Sequence, residues 1–398
     1  MKKIRVLFLM SAGHLVGHWY IGLLMLVLPL LKQEFHLSFT EVGLLISARS
    51  LAGALGNSVS GVLADLFGSR NRILLGSSAG AALCWLLVGF SEQYVFILVL
   101  IPLFTMFNNL WHAPAMSLLS EAYPERRGFA LGLHGSAANL GQALAPLVVG
   151  VLITYLGWRT AVKLNVLPGL TMGVLLLVML PGLGALTKKK KKTTGQFWEL
   201  FKEHLLKSPQ ILAISMVSVF RTMGQRGVEA FLGIFLADHL GLSPVWVGFY
   251  LSLLTFASAF PEPLIGWLSD RVGRKSILWV SLTISGLATV AITLVGPGAP
   301  LGISLALLGI FHYSLRPIIF AFALDLTPPD MGAATISYVF TWNQGFSALA
   351  PLVGGVLADL YGIKVALYFV AGLSLVAALC VGLLRPRVRG EVAPSTGE

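Results

Sequence analysis

The sequence predicts an all-α membrane protein of twelve transmembrane helices arranged as two related six-helix halves. Three observations carry this. The chain is 56% hydrophobic and only 11% charged, with a mean hydropathy of +0.83, and 398 residues in a water-soluble fold cannot hide so much apolar surface. Apolar stretches of about twenty residues, the length that crosses a bilayer, follow one another from end to end. The sequence also repeats itself: Ala143-Leu-Ala-Pro-Leu-Val148 recurs unchanged as Ala348 to Val353, an offset of 205.

The apolar stretches run over 6–31, 41–64, 73–91, 94–120, 127–156 and 160–183, then 209–237, 244–269, 276–296, 299–326, 332–360 and 363–384. None shows the short alternating pattern of a β-barrel strand. The first follows Lys2, Lys3 and Arg5 as a signal peptide would. At about 26 residues it is longer than a typical signal h-region, so it reads as an uncleaved helix. Three parts are expected: a first half over 1–183, a linker over 184–208, and a second half with a short tail over 209–398. The linker contains five consecutive lysines, Lys188 to Lys192, and continues with Phe197, Leu200, Phe201 and Leu205 at helical spacing. That pattern fits an amphipathic helix on the inner leaflet, with its lysines near anionic headgroups.

A formal net charge of +11 raises nucleic-acid binding, but the placement of the charge excludes it. With both termini in the cytoplasm, 20 of the 28 Lys and Arg fall on that side, among them Arg70, Arg72, Arg126, Arg127, Arg271, Arg274 and Lys275. The opposite loops hold Lys32, Arg159 and Lys364. This positive-inside bias fixes the expected orientation, in a prokaryotic inner membrane. Cys84 and Cys380 sit inside apolar segments of opposite halves and form neither a disulfide framework nor a metal motif.

The offset of 205 also carries Gly61 onto Gly266, Asp65 onto Asp270, Gly68 onto Gly273, Gly150 onto Gly355 and Gly157 onto Gly362. Long repeats in an apolar chain point to a transporter built from related halves. The second copy, Gly266-Trp-Leu-Ser-Asp270-Arg271-Val-Gly273-Arg274-Lys275, resembles the loop signature of the major facilitator superfamily. The first copy keeps Gly61, Asp65 and Gly68 but has Leu66 where a basic residue is usual, with Arg70 and Arg72 displaced. The resemblance implies a monomeric transporter without cofactor and a gating role for Gly61, Asp65, Gly68, Arg70, Gly266, Asp270, Arg271, Gly273 and Arg274. Glycine permits the turn, and the aspartate can pair with loop arginines as a latch between halves.

Gly141-Gln-Ala-Leu-Ala145-Pro146 and Ser347-Ala-Leu-Ala350-Pro351 look like the Gly-x-x-x-Gly-Pro motif of antiporters in that superfamily, with alanine for the second glycine; close packing of helices explains small residues there equally. His14-Leu-Val-Gly-His18, Leu28-Pro29, Trp111-His112-Ala-Pro114, Arg127-Gly128 and Asn139-Leu-Gly141 are similar to fosmidomycin-resistance-type exporters over roughly 14–150. That group has Asn-Asp after the helix 1 histidine and His-Pro-Glu in helix 4, where this chain has Gly17-His18 and His112-Ala-Pro114.

Ionisable groups at bilayer depth usually face a cavity or a partner. Arg49, Lys163, Arg221, Arg226 and Arg316 lie in apolar segments, and Glu229 and Glu262 are the comparably deep acids. Lys163 is close enough to a helix end to snorkel. Arg226 and Glu229 are three apart and can pair on one helix face. That leaves Arg49, Arg221 and Arg316 against Glu262, together with His14, His18, His112 and His312. In the superfamily, helices 1, 4, 7 and 10 line the cavity, and this implies a cationic interior that selects carboxylate or phosphonate. The other reading is that these arginines pair internally or bond backbone carbonyls. His14 and His18 share a helix face and stand at metal-ligand spacing, but no deep Cys or Asp completes a metal site. Trp19, Tyr20, Trp111, Tyr313, Trp342 and Asn343 are candidate walls and hydrogen-bond donors, or ordinary packing. Glu262, between Pro261 and Pro263, is the candidate proton carrier, with Glu229 beside it.

The expected function is secondary active export of a small organic anion by alternating access, with proton antiport as the coupling; no nucleophile–base set for an enzyme appears. Uptake, anion exchange, multidrug efflux with structural arginines, and a transport-dead membrane sensor are the alternatives.

Overall fold

The computed structural model describes residues 2–67, 70–179, 205–259, 261–328 and 331–384, and these form helices without a strand among them. In the first half they are α1 (Lys2–Glu34), α2 (Phe39–Phe67), α3 (Arg70–Phe90), α4 (Tyr94–Asn109, continued by His112–Ala122), α5 (Arg127–Leu156) and α6 (Trp158–Leu164, continued by Val166–Met179). In the second they are α7 (Pro209–Ile234), α8 (Pro244–Ala259, then Pro261–Val272), α9 (Arg274–Leu294), α10 (Ala299–Leu308, then Arg316–Asp325), α11 (Gly332–Ser347, then Leu349–Tyr361) and α12 (Ile363–Gly382). The expected linker helix lies almost wholly outside the described residues.

Among the described residues, nine helices are long and apolar enough to cross a membrane, and the two parts of α8, bent by 46°, make a tenth. The other two spans fail that measure for visible reasons. Arg221, Arg226 and Glu229 interrupt α7. Pro351 breaks α11 at Ala348, since a proline supplies no N–H and crowds the carbonyl four residues back. Two five-residue π-helical turns extend α7 (Phe235–His239) and interrupt α10 (Gly309–Tyr313).

The halves meet along two seams that are the same contact with the halves exchanged. In α2 against α11, a Cβ added at Gly43 would lie 2.2 Å from the Pro351 carbonyl oxygen. In α8 against α5, a Cβ at Gly248 would lie 2.2 Å from the Pro146 carbonyl oxygen. Both glycines and both prolines are related by the offset of 205, so the repeated Ala-Leu-Ala-Pro-Leu-Val is the seam itself. In lipid, where apolar surface gains little by association, such backbone approach supplies the packing that holds helices together.

The two ends of the bundle differ. At the end away from the chain termini, Lys32 and Gln33 bond Asp238, and Asp359 of α11 accepts from the Phe39 and Thr40 backbone N–H groups and the Thr40 hydroxyl at 2.6–2.8 Å. Asp359 thus caps the N-terminus of α2 from the other half, where a carboxylate meets unpaired N–H groups and the positive end of the helix dipole. The largest buried apolar cluster lies toward this end and draws on both halves, from Leu23 and Leu45 to Phe231 and Leu254. Toward the terminal end there are two clusters, one per half: Val6, Leu9 and Leu119 in the first, Ile214, Leu278 and Ala377 in the second. Nothing lies within 4 Å of a Cβ added at Gly132, Gly135, Gly266 or Gly345, on the terminal-end portions of α5, α8 and α11. A cleft therefore separates the halves at the terminal end, closed by the shared core beyond it.

Candidate functional site

The cleft receives most of its charge from α7 and α10. Arg221, 2% exposed on α7, donates its Nε to the His312 carbonyl at 3.1 Å, while its Nη2 is buried without a partner. The π-helical turn before Ser314 and the missing N–H of Pro317 loosen the backbone bonding of α10, which leaves such a carbonyl to accept a side chain. The His312 ring nitrogens and the Tyr313 hydroxyl are likewise buried and unbonded. Arg316 begins the second part of α10, and its side chain is exposed within the bundle with no hydrogen bond or ion pair among the described residues. A cation is disfavoured at a helix N-terminus and an anion favoured, so this position asks for a negative partner. Arg316 lies within electrostatic reach of Arg221, Arg226, Glu229 and Glu262, and also of His18 and His112 across the cleft.

Glu262 stands in the first turn after the α8 break and accepts from Asn139 Nδ2 of α5 at 3.1 Å. It therefore bridges the halves beside Arg221 and Arg316. Glu229 is the second bridge. Arg226 Nη1 donates to it at 2.7 Å, as the i,i+3 spacing predicts. Arg49 Nη1 of α2 also reaches it, at 3.0 Å, and Gln225 donates at 3.1 Å. This corrects the expectation that Arg49 stands uncompensated against Glu262. The residue on α2 crosses the seam between halves and finds its counter-charge on α7.

His14 and His18 share one face of α1, and the structure adds two imidazoles to them. The His14 ring stacks on His134 of α5 at 3.9 Å and meets His18 and His112 edge-on at 4.7 and 5.2 Å. His14 Nδ1 bonds the His134 carbonyl at 2.9 Å, and His18 Nδ1 bonds Gln142 Oε1 at 3.2 Å. Sequence reasoning missed His134. The available signal was its place eight residues before Gln142, on the same face of α5. Among the described residues no group of three or more His, Cys, Asp or Glu is arranged to hold a metal.

Other candidates sit elsewhere. Trp19 Nε1 donates to the Asn165 side chain at 2.6 Å, and the Tyr20 hydroxyl to the Asn165 carbonyl at 2.9 Å. Tyr20, 1% exposed, packs against Trp85 and Phe104 in the interior of the first half, so both residues clamp α1 to α6 instead of walling the cleft. Asn343 ties α11 to α7 through Ser218 and Thr222.

At the terminal end, Arg274 pairs with Asp270 at 3.0 Å and with Asp325 at 2.5 Å. Arg70 grips both carboxylate oxygens of Glu121, at 2.7 and 2.8 Å. Both links join residues 51 apart, from the start of α3 or α9 to the end of α4 or α10. Gly273 adopts φ +105 to turn between α8 and α9, a conformation open to glycine, and Gly266 faces open space. Arg271 lies over the Trp267 ring at 4.0 Å and makes no ion pair with Asp270. Gly61 and Asp65 fall on the last turns of α2, but the Asp65 side chain and Gly68 lie outside the described residues.

A bundle of two exchanged halves around a charged, one-ended cleft is the architecture of a membrane transporter, and the sequence profile of the Major Facilitator Superfamily matches residues 10–299 and 214–398. The chain belongs to that superfamily: it is a multi-pass membrane transporter for a small-molecule substrate, and not an enzyme. It is similar to the fosmidomycin resistance protein of Escherichia coli K12, at 23% identity over 94% of this chain and 91% of that protein. It is also similar to the multidrug resistance protein MdtG of Proteus mirabilis, at 25% identity over 88% of each. Its fold superposes on an inward-facing, unoccupied bacterial homologue of the lysosomal transporter Spinster with a TM-score of 0.83, at 17% identity over 96% of both chains.

Proposed function

We propose that this transporter exports a small organic anion of carboxylate or phosphonate type by alternating access across a prokaryotic inner membrane, as a monomer with both termini cytoplasmic. The observation that carries this reading is Arg221, its buried Nη2 left unbonded, within electrostatic reach of Arg316 at the N-terminus of a half-helix in the cleft. Guanidinium forks match such anions, and a low-dielectric cleft strengthens the match. The drug-resistance names of the two relatives support the outward direction. With the termini cytoplasmic, the sealed end faces outward and the cleft faces the cytoplasm, where it would load its cargo. An inside-negative potential then favours export by about 2.3 kcal/mol per elementary charge per 100 mV.

Arg221→Gln and Arg316→Gln should each reduce anion binding by the purified protein at least tenfold while it remains folded, read by calorimetric titration with small carboxylates and phosphonates. Full binding by both variants would remove the reading. Coupling is assigned to Glu262, which sits beside both arginines and on the bridge to α5. Glu262→Gln should abolish proton-driven flux in proteoliposomes while leaving anion exchange; an unchanged dependence on the pH gradient would exclude Glu262 as the carrier.

A further inference from the structure

The two carboxylates in the cleft do not match its four arginines. Glu229 answers Arg49 and Arg226, and Glu262 is the carboxylate within reach of Arg221 and Arg316. Each set keeps one positive charge in excess. The sets are not isolated from each other, because Arg316 is in electrostatic reach of Arg226 and Glu229 as well as Glu262. Other basic residues described along the spans are satisfied differently. Arg70 pairs with Glu121, Arg159 with Glu34, Lys32 with Asp238 and Arg274 with Asp325, all near helix ends, while the Lys163 ammonium lies 4.0 Å from the Phe90 ring centroid.

The surplus comes with unused donors. Arg49 Nε, Arg226 Nε, Arg221 Nη2 and the Tyr313 hydroxyl are all buried without hydrogen bonds. Buried guanidinium N–H groups are normally satisfied, so a set of them around one cleft marks the place of a ligand with several acceptor oxygens. From these two facts we infer that the transported species is a doubly charged anion, a phosphoryl or phosphonyl dianion or a dicarboxylate, and that singly charged anions of the same shape bind more weakly. A dianion cancels the excess of both sets and brings acceptors for both. A monoanion leaves one guanidinium in low dielectric without a counter-charge. The inference rests on the anion reading above and narrows it.

The test uses the purified full chain at pH 8, where imidazoles are neutral and phosphate monoesters carry both charges. Two small matched pairs serve as probes: methyl phosphate with methyl sulfate, and succinate with its monoamide succinamate. The dianion of each pair should bind at least tenfold more tightly than its singly charged partner. Arg316→Gln, which removes an exposed side chain with no bonded partner, should narrow that ratio severalfold by taking away one of the two surplus charges. Equal affinities within both pairs would overturn the dianion preference and leave the anion site standing. Binding by no member of either pair would remove the anion site, and this inference with it.

Discussion

Glu229 is held by three donors from two halves, and it is itself only 3% exposed. Removing one partner of a buried ion pair costs far more than the pair contributes, because the other charge stays behind in low dielectric. Glu229→Gln keeps the shape and strands two guanidiniums, so it should lower unfolding stability by about 3–5 kcal/mol, measured by denaturation in detergent. Arg49→Gln leaves Glu229 with Arg226 and should cost less. This residue-scale chemistry was half visible in the sequence. The Arg226–Glu229 pair follows from a spacing of three on one helix. Arg49 is 180 residues from Glu229, and no local pattern links residues that meet across a seam. His134 escaped for the same reason: it acquires its meaning from α1, 120 residues away.

Among the elements, the seams are set by backbone approach. The carbonyls of Pro351 and Pro146 fill the space that a side chain at Gly43 or Gly248 would need. Backbone cannot give way as the end of a flexible side chain can. Gly248→Leu or Gly43→Leu should therefore hold the outer seam apart, and the distance between spin labels at positions 32 and 238 should lengthen relative to the unmodified seam. An unchanged distance would show that the helices slide past the added bulk. Asp359→Ala strips α2 of its cap and should weaken the closed end by about 0.5–2 kcal/mol, seen as a shift in the same distance distribution. The repeat announced that the two proline motifs are equivalent. It did not announce that each faces a glycine of the opposite half, because a repeat relates copies and is silent on which copy touches which. The ion-pair links at the terminal end were obscured by a slip of one position: Arg70 with Glu121 and Arg274 with Asp325 correspond at 204 and not at 205.

For the whole molecule, one shared core and two separate ones define where motion is permitted. α5 and α8 meet where Pro146 lies beside Gly248 and again where Asn139 bonds Glu262, and further toward the terminal end Gly132 of α5 and Gly266 of α8 both face open space. A cysteine pair at these two glycines should remain unlinked while the cleft is open to the terminal end. It should close into a disulfide only in the opposite state, and so trap transport. Rapid crosslinking with unimpaired flux would show that the halves do not part there. The class of fold was legible throughout, since length, apolarity and repeat leave few alternatives. The state of the cleft was not, because the same pattern of helices serves both closures.

The exchanged seams are equal in backbone and unequal in trimming. The α2–α11 edge carries the Asp359 cap and the Ser47 hydroxyl on the Ala348 carbonyl, whereas the repeat puts Thr154 in place of Asp359, and Thr154 bonds Gly150 within its own helix. A duplicated domain has thereby become a door with unlike edges. The α5–α8 edge, without that cap and joined by the Asn139–Glu262 bond, can serve as the hinge, and the α2–α11 edge as the catch that must release. Two halves of common ancestry would then divide their labour along their borders.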